Sequence, residues 1–64
     1  MEKFGQRLKE LRAEKNLSCM ALGKTIEVSN STICAWENNV YDIKGEYLIR
    51  LADFFGVTTD YLLA

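Results

Sequence analysis

The chain contains no proline and no histidine. Without proline, and with glycine only at the scattered positions 5, 23, 45 and 56, it lacks the turn chemistry that punctuates a β-sandwich. Helices joined by short turns are favoured instead. Without histidine it lacks the commonest general base and metal ligand. A glycine-rich phosphate loop and a paired-carboxylate setting are missing too, and 64 residues leave no room for a substrate pocket of ordinary size. The chain is therefore not expected to be an enzyme, and no cofactor or small-molecule ligand is evident. Ser18, Ser29 and Ser31 read as caps and polar contacts rather than nucleophiles.

Long apolar runs are also absent. None approaches the roughly 20 residues that span a bilayer, and the opening Met1-Glu2-Lys3-Phe4-Gly5-Gln6-Arg7 lacks the apolar core of a signal peptide. A cytoplasmic protein with no membrane partner is the expectation. The only cysteines are Cys19 and Cys34. Two thiolates do not complete a tetrahedral zinc site, and a reducing cytoplasm argues against a structural disulfide. They read as small packing or surface residues, and no metal is expected. Charge of one sign is lacking as well, since the net charge is −1. Residues 1–44 carry seven Lys/Arg against six Asp/Glu, whereas 45–64 carry Arg50 against Glu46, Asp53 and Asp60.

What is present suits one small globular domain over residues 1–64, with 48% hydrophobic and 27% charged residues. Neither end carries a linker, so this stretch is expected to be the whole protein. A domain of this size buries only about 60% of the surface that its unfolded chain exposes, so association with a partner subunit would help it.

Apolar spacing predicts five helices and no strand. Phe4, Leu8 and Leu11 recur at i, i+4, i+7 and predict a first helix over roughly residues 2–15, ended by Asn16 and Leu17. Ser18 caps a second short helix, whose apolar side is read as Met20, Leu22 and Ile26. Ser29 caps a third, anchored by Ile33 and Trp36 and closed by Asn38-Asn39. After a loop through Gly45, the stripe Leu48, Leu51, Ala52, Phe55 marks a fourth. Gly56 stops it, and Thr58 caps a fifth with Asp60 in its first turn.

Two short helices joined through Val28-Ser29 are what a helix-turn-helix requires. A helix of eight residues cannot persist alone, so the second helix and the core must fix the third at a set angle. Its exposed face then fits a major groove about 12 Å wide. Gly23 is expected where close approach of the third helix excludes a larger side chain.

In order and spacing, the stretches Arg7-Leu8-Lys9-Glu10-Leu11-Arg12, Leu17-Ser18, Val28-Ser29-Asn30-Ser31-Thr32-Ile33, Trp36-Glu37-Asn38, Leu51-Ala52-Asp53-Phe54-Phe55-Gly56-Val57 and Asp60-Tyr61-Leu62-Leu63 resemble the phage Cro/C1-type helix-turn-helix family, also called the XRE family. The resemblance covers nearly the whole chain. It implies an all-α, five-helix, lambda-repressor-like domain with the helix-turn-helix in helices 2 and 3. The function it implies is sequence-specific binding of double-stranded DNA by a transcriptional regulator, as a repressor and as a homodimer on an inverted repeat. It assigns base reading to Asn30, Ser31 and Ala35, and phosphate contact to Asn38, with Thr32 contributing its hydroxyl. Amide geometry suits Asn30 for adenine, and Ala35 for a thymine methyl; simple helix-start chemistry also explains Asn30. Arg12 and Glu37 match a structural salt bridge. Lys24 and Lys44 are the remaining cations expected at DNA, ahead of Arg7 and Lys9.

The sequence departs from the family at several of these places. Cys19 stands where many relatives carry a phosphate-facing Gln, so the resemblance counts it among the DNA-facing positions, although a thiol is a poor substitute. Glu27 stands where the turn usually holds Gly, which implies strain if that backbone is left-handed. Val40-Tyr41-Asp42-Ile43-Lys44 replaces a basic loop, and Ala35 a common Arg. Each change removes a phosphate or base contact, so modest affinity per monomer is expected. A rival reading keeps the fold but makes the chain a protein-interaction or antitoxin-like module with weakened DNA binding. Its support is the slightly acidic charge, the lost basic loop and the apolar end Tyr61-Leu62-Leu63-Ala64. That end serves equally as core or as a dimer seam through the C-terminal helix, which would set two third helices about 34 Å apart.

Overall fold

The helix ends follow one rule. In the computed structural model, which describes residues 2–63, the helices are α1 (Glu2–Glu14), α2 (Cys19–Ile26), α3 (Asn30–Glu37), α4 (Gly45–Phe55) and α5 (Thr59–Leu63). Met1 and Ala64, the limits of the expected domain span and of the apolar end, lie outside the described residues. Each of the first four helices is closed by a residue with positive φ: Asn16 (55°), Glu27 (65°), Asn39 (58°) and Gly56 (68°). The next residue, Leu17, Val28, Val40 or Val57, donates its N–H back five positions, to Arg12, Gly23, Ala35 or Ala52. This is the Schellman arrangement, which satisfies carbonyls that a helix end leaves orphaned. Leu17, Val28 and Val57 also pack against the core, so those three turns are held by burial as well as by a hydrogen bond, whereas Val40 is exposed.

The starts are capped by side chains. Ser18 Oγ accepts from the Ala21 N–H at 3.0 Å, Ser29 Oγ from Thr32 at 3.2 Å and Thr58 Oγ1 from Tyr61 at 3.0 Å. Lys44 is the N-cap of α4 and makes no side-chain cap. The loop therefore ends earlier than the sequence suggests, with Gly45 already helical. Glu46 in the first turn complements the helix dipole there.

The core joins Phe4, Leu8 and Leu11 of α1, Leu22 and Ile26 of α2, Ile33 and Trp36 of α3, Leu48, Leu51 and Ala52 of α4, and Leu62 of α5. One expectation is corrected. Met20 is 56% exposed, and the inward stripe of α2 is Cys19, Leu22, Gly23 and Ile26, the i, i+3, i+4, i+7 set. Two residues on from Met20, at 100° each, Leu22 points to the other side of the helix. α1 packs on α3 and α5, α2 on α3 and α4, and α4 on α5. Short α3 is thereby braced from two sides, which its own length cannot provide. Among the described residues no helix is long and apolar enough to cross a membrane.

Candidate nucleic-acid interface

Three turn residues, Glu27, Val28 and Ser29, separate α2 from α3. Gly23 lets this turn close: a Cβ there would lie 2.6 Å from the Val28 carbonyl oxygen, and 3.5 Å from the Asn30 nitrogen. The turn backbone, more than α3 itself, excludes a side chain. Glu27 takes the left-handed conformation (φ 65°, ψ 45°), which costs a residue with a Cβ roughly 1–2 kcal/mol.

Arg12 ties this unit to α1. Its Nε donates to Glu37 Oε2 at 2.6 Å and its Nη2 to Oε1 at 3.1 Å, while Nη1 donates to the Leu17 carbonyl at 2.7 Å. One guanidinium so fixes the end of α1, the following loop and the last turn of α3. The side chains are 18% and 7% exposed, and the planar fork suits a carboxylate in a way that an ammonium does not. The Glu37 hydrogen bond holds the Arg12 guanidinium above its ordinary pKa, against the opposing effect of burial.

With Ile33 and Trp36 turned inward, α3 shows an outer side. Asn30, Ser31 and Asn38 are exposed, and Thr32 and Ala35 are half-buried. Asn30, Cys34 and Asn38 stack at four-residue intervals, with Ser31 and Ala35 in the adjoining row. Three of these side chains are engaged within the helix-turn-helix. Thr32 Oγ1 shares a hydrogen bond with Ser29 Oγ at 2.8 Å, and Asn38 Nδ2 donates to the Cys34 carbonyl at 2.9 Å. Asn30 Oδ1 accepts from Cys34 Sγ at 3.8 Å. Lys24 and Lys44 are exposed, on α2 and at the start of α4.

Cys19 departs from its expected place. Its thiol is half-buried against the core, 4.0 Å from both carboxylate oxygens of Glu37, so the side chain is turned inward rather than toward a phosphate. The cause is register: Cys19 begins the inward stripe of α2. Burial, contact with Cys34 and the Glu37 charge, in that order, push this thiol up from its ordinary pKa, with Arg12 opposing.

Sequence reasoning missed two supports. Gly5 donates its N–H to Asn39 Oδ1 at 3.3 Å, and a glycine inside an amphipathic helix was the available signal. Arg50 Nη1 donates to the Ile26 carbonyl at 3.1 Å while its guanidinium lies 5.4 Å from the Tyr47 ring centroid. A cation thus meets the C-terminus of α2, where the dipole favours it. Nothing local in the sequence pairs Arg50 with α2.

Known proteins share this fold. A helix-turn-helix domain model matches residues 5–64. Repressor protein C2 of Salmonella phage P22 is 36% identical over 60 residues, covering 94% of this chain and 28% of that protein. The HTH-type transcriptional activator BcrR of Enterococcus faecalis is 36% identical over 61 residues, covering 95% of this chain and 30% of that protein. The chain thus spans under a third of the length of these two curated relatives. Among solved structures, the P22 c2 repressor in complex with synthetic operator 9T superposes with a TM-score of 0.88 at 34% identity, covering 92% of this chain and 89% of that one. SinR, described as the master regulator for biofilm formation and solved in complex with DNA, gives 0.87 at 27% identity, covering 95% and 98%. With its five helices in the lambda-repressor-like arrangement and its third helix braced by Arg12 and Glu37, the chain belongs to the Cro/C1-type (XRE) family of helix-turn-helix domains.

Proposed function

We propose that this chain binds a specific double-stranded DNA site as the recognition unit of a transcriptional regulator. The observation that carries the reading is the outer side of α3, which presents Asn30, Ser31 and Ala35 on a helix anchored from behind by the Arg12–Glu37 pair. Likeness to a repressor held on its operator supports the same placement. Asn30 and Ser31 read base edges, and Ala35 offers a methyl to thymine. Lys24 and Lys44 contact phosphates, joined by Asn38 and Thr32 once their internal hydrogen bonds are shared or exchanged. The Cys19 side chain has no such role, although its backbone N–H remains at a helix N-terminus. Residues 1–64 act as one DNA-binding domain in the cytoplasm, without catalysis, and pair as a homodimer on an inverted repeat. Repression is the reading taken, although the similar proteins include an activator.

Selection of bound sites from random duplex DNA at low salt tests this, with Asn30→Ala as the control. Enrichment of one sequence, changed or lost in the control, is the expected result. No enrichment refutes specific binding. The interaction-module reading is favoured by exposed Tyr61 and Leu63 on α5, and it predicts self-association or partner capture without enrichment.

A further inference from the structure

Asn30 and Cys34 stand one turn apart on the outer side of α3, the first exposed and the second half-buried. A helical side chain leans back over the preceding turn. The Cys34 thiol does so, and donates its S–H to Asn30 Oδ1 at 3.8 Å. The S–H needs an acceptor, and of the two polar atoms of the amide only the oxygen is one. The neighbouring hydroxyls do not take this place. Thr32 Oγ1 is engaged with Ser29 Oγ, and Ser31 lies in the adjoining row with Ala35. Base reading by Asn30 does not in itself account for a thiol bonded to its side chain.

An amide reads DNA differently according to which way round it is held. Adenine shows the major groove an acceptor, N7, beside a donor, the N6 amino group, so it is met by an amide that offers both oxygen and nitrogen. Guanine shows two neighbouring acceptors, N7 and O6, and no donor. In Asn30 the oxygen is turned along α3 toward Cys34, and Nδ2, on the other arm of the amide, leads outward with its two N–H groups. That orientation matches the guanine edge.

We propose that Cys34 is a positioning residue that sets the specificity of Asn30: its S–H holds the amide oxygen back, so that Asn30 presents N–H groups to the groove and selects guanine over adenine. The inference rests on the function proposed above and replaces the adenine contact that amide geometry alone suggests. Without the thiol the amide is free to turn and to offer its oxygen to adenine. A thiol is a weak donor, so its removal should lower the preference for guanine over adenine about threefold, the low end of a net hydrogen bond. Affinity for duplex of any sequence comes from phosphate contacts and stays the same.

The test takes the reduced full chain and Cys34→Ala, the variant verified as folded by circular dichroism, through selection from random duplex DNA. Asn30→Ala identifies the base pair that Asn30 reads, as the one whose preference it loses. Expected is a G·C pair there for the wild type, with the guanine-to-adenine preference reduced about threefold in Cys34→Ala and binding to a scrambled duplex unchanged. Any other pair selected by the wild type, or an unchanged preference in Cys34→Ala, overturns the proposal. Equal weakening on selected and scrambled duplexes overturns it too, because a residue that merely supports α3 would act in that way. The free protein gives a second readout: three-bond NMR couplings should show one Asn30 side-chain rotamer in the wild type and averaged rotamers in Cys34→Ala. If no sequence is enriched, the function proposed above fails, and these couplings judge the thiol contact alone. Averaged couplings in the wild type overturn that contact.

Discussion

Gly5 of α1 rests directly on the end of α3, donating its N–H to the Asn39 side chain at 3.3 Å. A Cβ at Gly5 would meet the Glu37 carbonyl oxygen, and the Trp36 carbonyl oxygen at 2.8 Å. Both are backbone atoms of α3 or its last turn, so they cannot rotate away. Gly5→Ala should therefore destabilise the fold by about 1–2 kcal/mol, because overpacking of about 1–3 kcal/mol exceeds the helix-propensity gain of about 0.5–1 kcal/mol. In a domain of this size each kcal/mol moves the melting temperature by roughly 4–8 °C. A variant that melts higher than the parent would show that α1 and α3 do not approach this closely.

Glu27→Gly should raise stability by about 1 kcal/mol. Glu27 holds φ 65°, where a Cβ costs roughly 1–2 kcal/mol and glycine costs only its extra unfolded-chain entropy. Glu27→Ala is the control, since it removes the charge and keeps the strain. Equal melting gains in both variants would assign the effect to charge.

These two positions also mark how far the fold was legible. Helix ends were readable where residue chemistry matched the backbone: Asn16, Asn39 and Gly56 tolerate left-handed φ, and Ser18, Ser29 and Thr58 carry cap oxygens. Glu27 ends α2 by tertiary demand, since the turn must bring α3 across Gly23. The start of α4 was misplaced because Lys44 supplies no cap oxygen. Met20 was assigned inward because a short helix offers few apolar residues, and the small Cys19 and Gly23 that complete the true stripe carry little hydrophobic signal. The outer side of α3 was legible, since Ile33 and Trp36 fix its inner side. Bonds to the chain's own carbonyls, such as Asn38 to Cys34 and Arg50 to Ile26, depend on three-dimensional approach and leave no local pattern.

Arg12→Met or Glu37→Leu, made singly, should each cost about 2–3 kcal/mol. That is less than the roughly 3–5 kcal/mol of a fully buried pair, because Arg12 keeps 18% of its side-chain surface exposed. Arg12→Lys should not restore stability, since an ammonium cannot bridge both Glu37 oxygens and the Leu17 carbonyl together. The Arg12→Met/Glu37→Leu double variant should be more stable than either single one. A double-mutant cycle in urea measures this, and additive losses would mean that the pair is not coupled.

The raised Cys19 pKa sets an alkaline prediction. A thiol whose folded pKa lies above its unfolded value contributes stability that is complete below the unfolded pKa. That contribution is lost as pH rises through the folded one. Reduced wild-type protein should thus lose stability above the ordinary thiol range relative to Cys19→Ala, modestly because the thiol is only half-buried. Parallel melting curves for the two proteins across that range would contradict it.

Base reading and phosphate contact separate by salt. Lys24→Ala and Lys44→Ala should weaken binding to all duplexes alike, each lowering the slope of log affinity against log salt by about 1, because one fewer counterion is released. Asn30→Ala should leave that slope unchanged and relax preference at one base pair, with a loss of about 1–3 kcal/mol for the selected site. Titrations of the selected and a scrambled duplex at several salt concentrations give both quantities. If Asn30→Ala instead weakened both duplexes equally, Asn30 would be holding the helix start and not reading sequence. If neither lysine changed the slope, the backbone contacts would have to come from other groups, and α3 would meet the groove at a different angle.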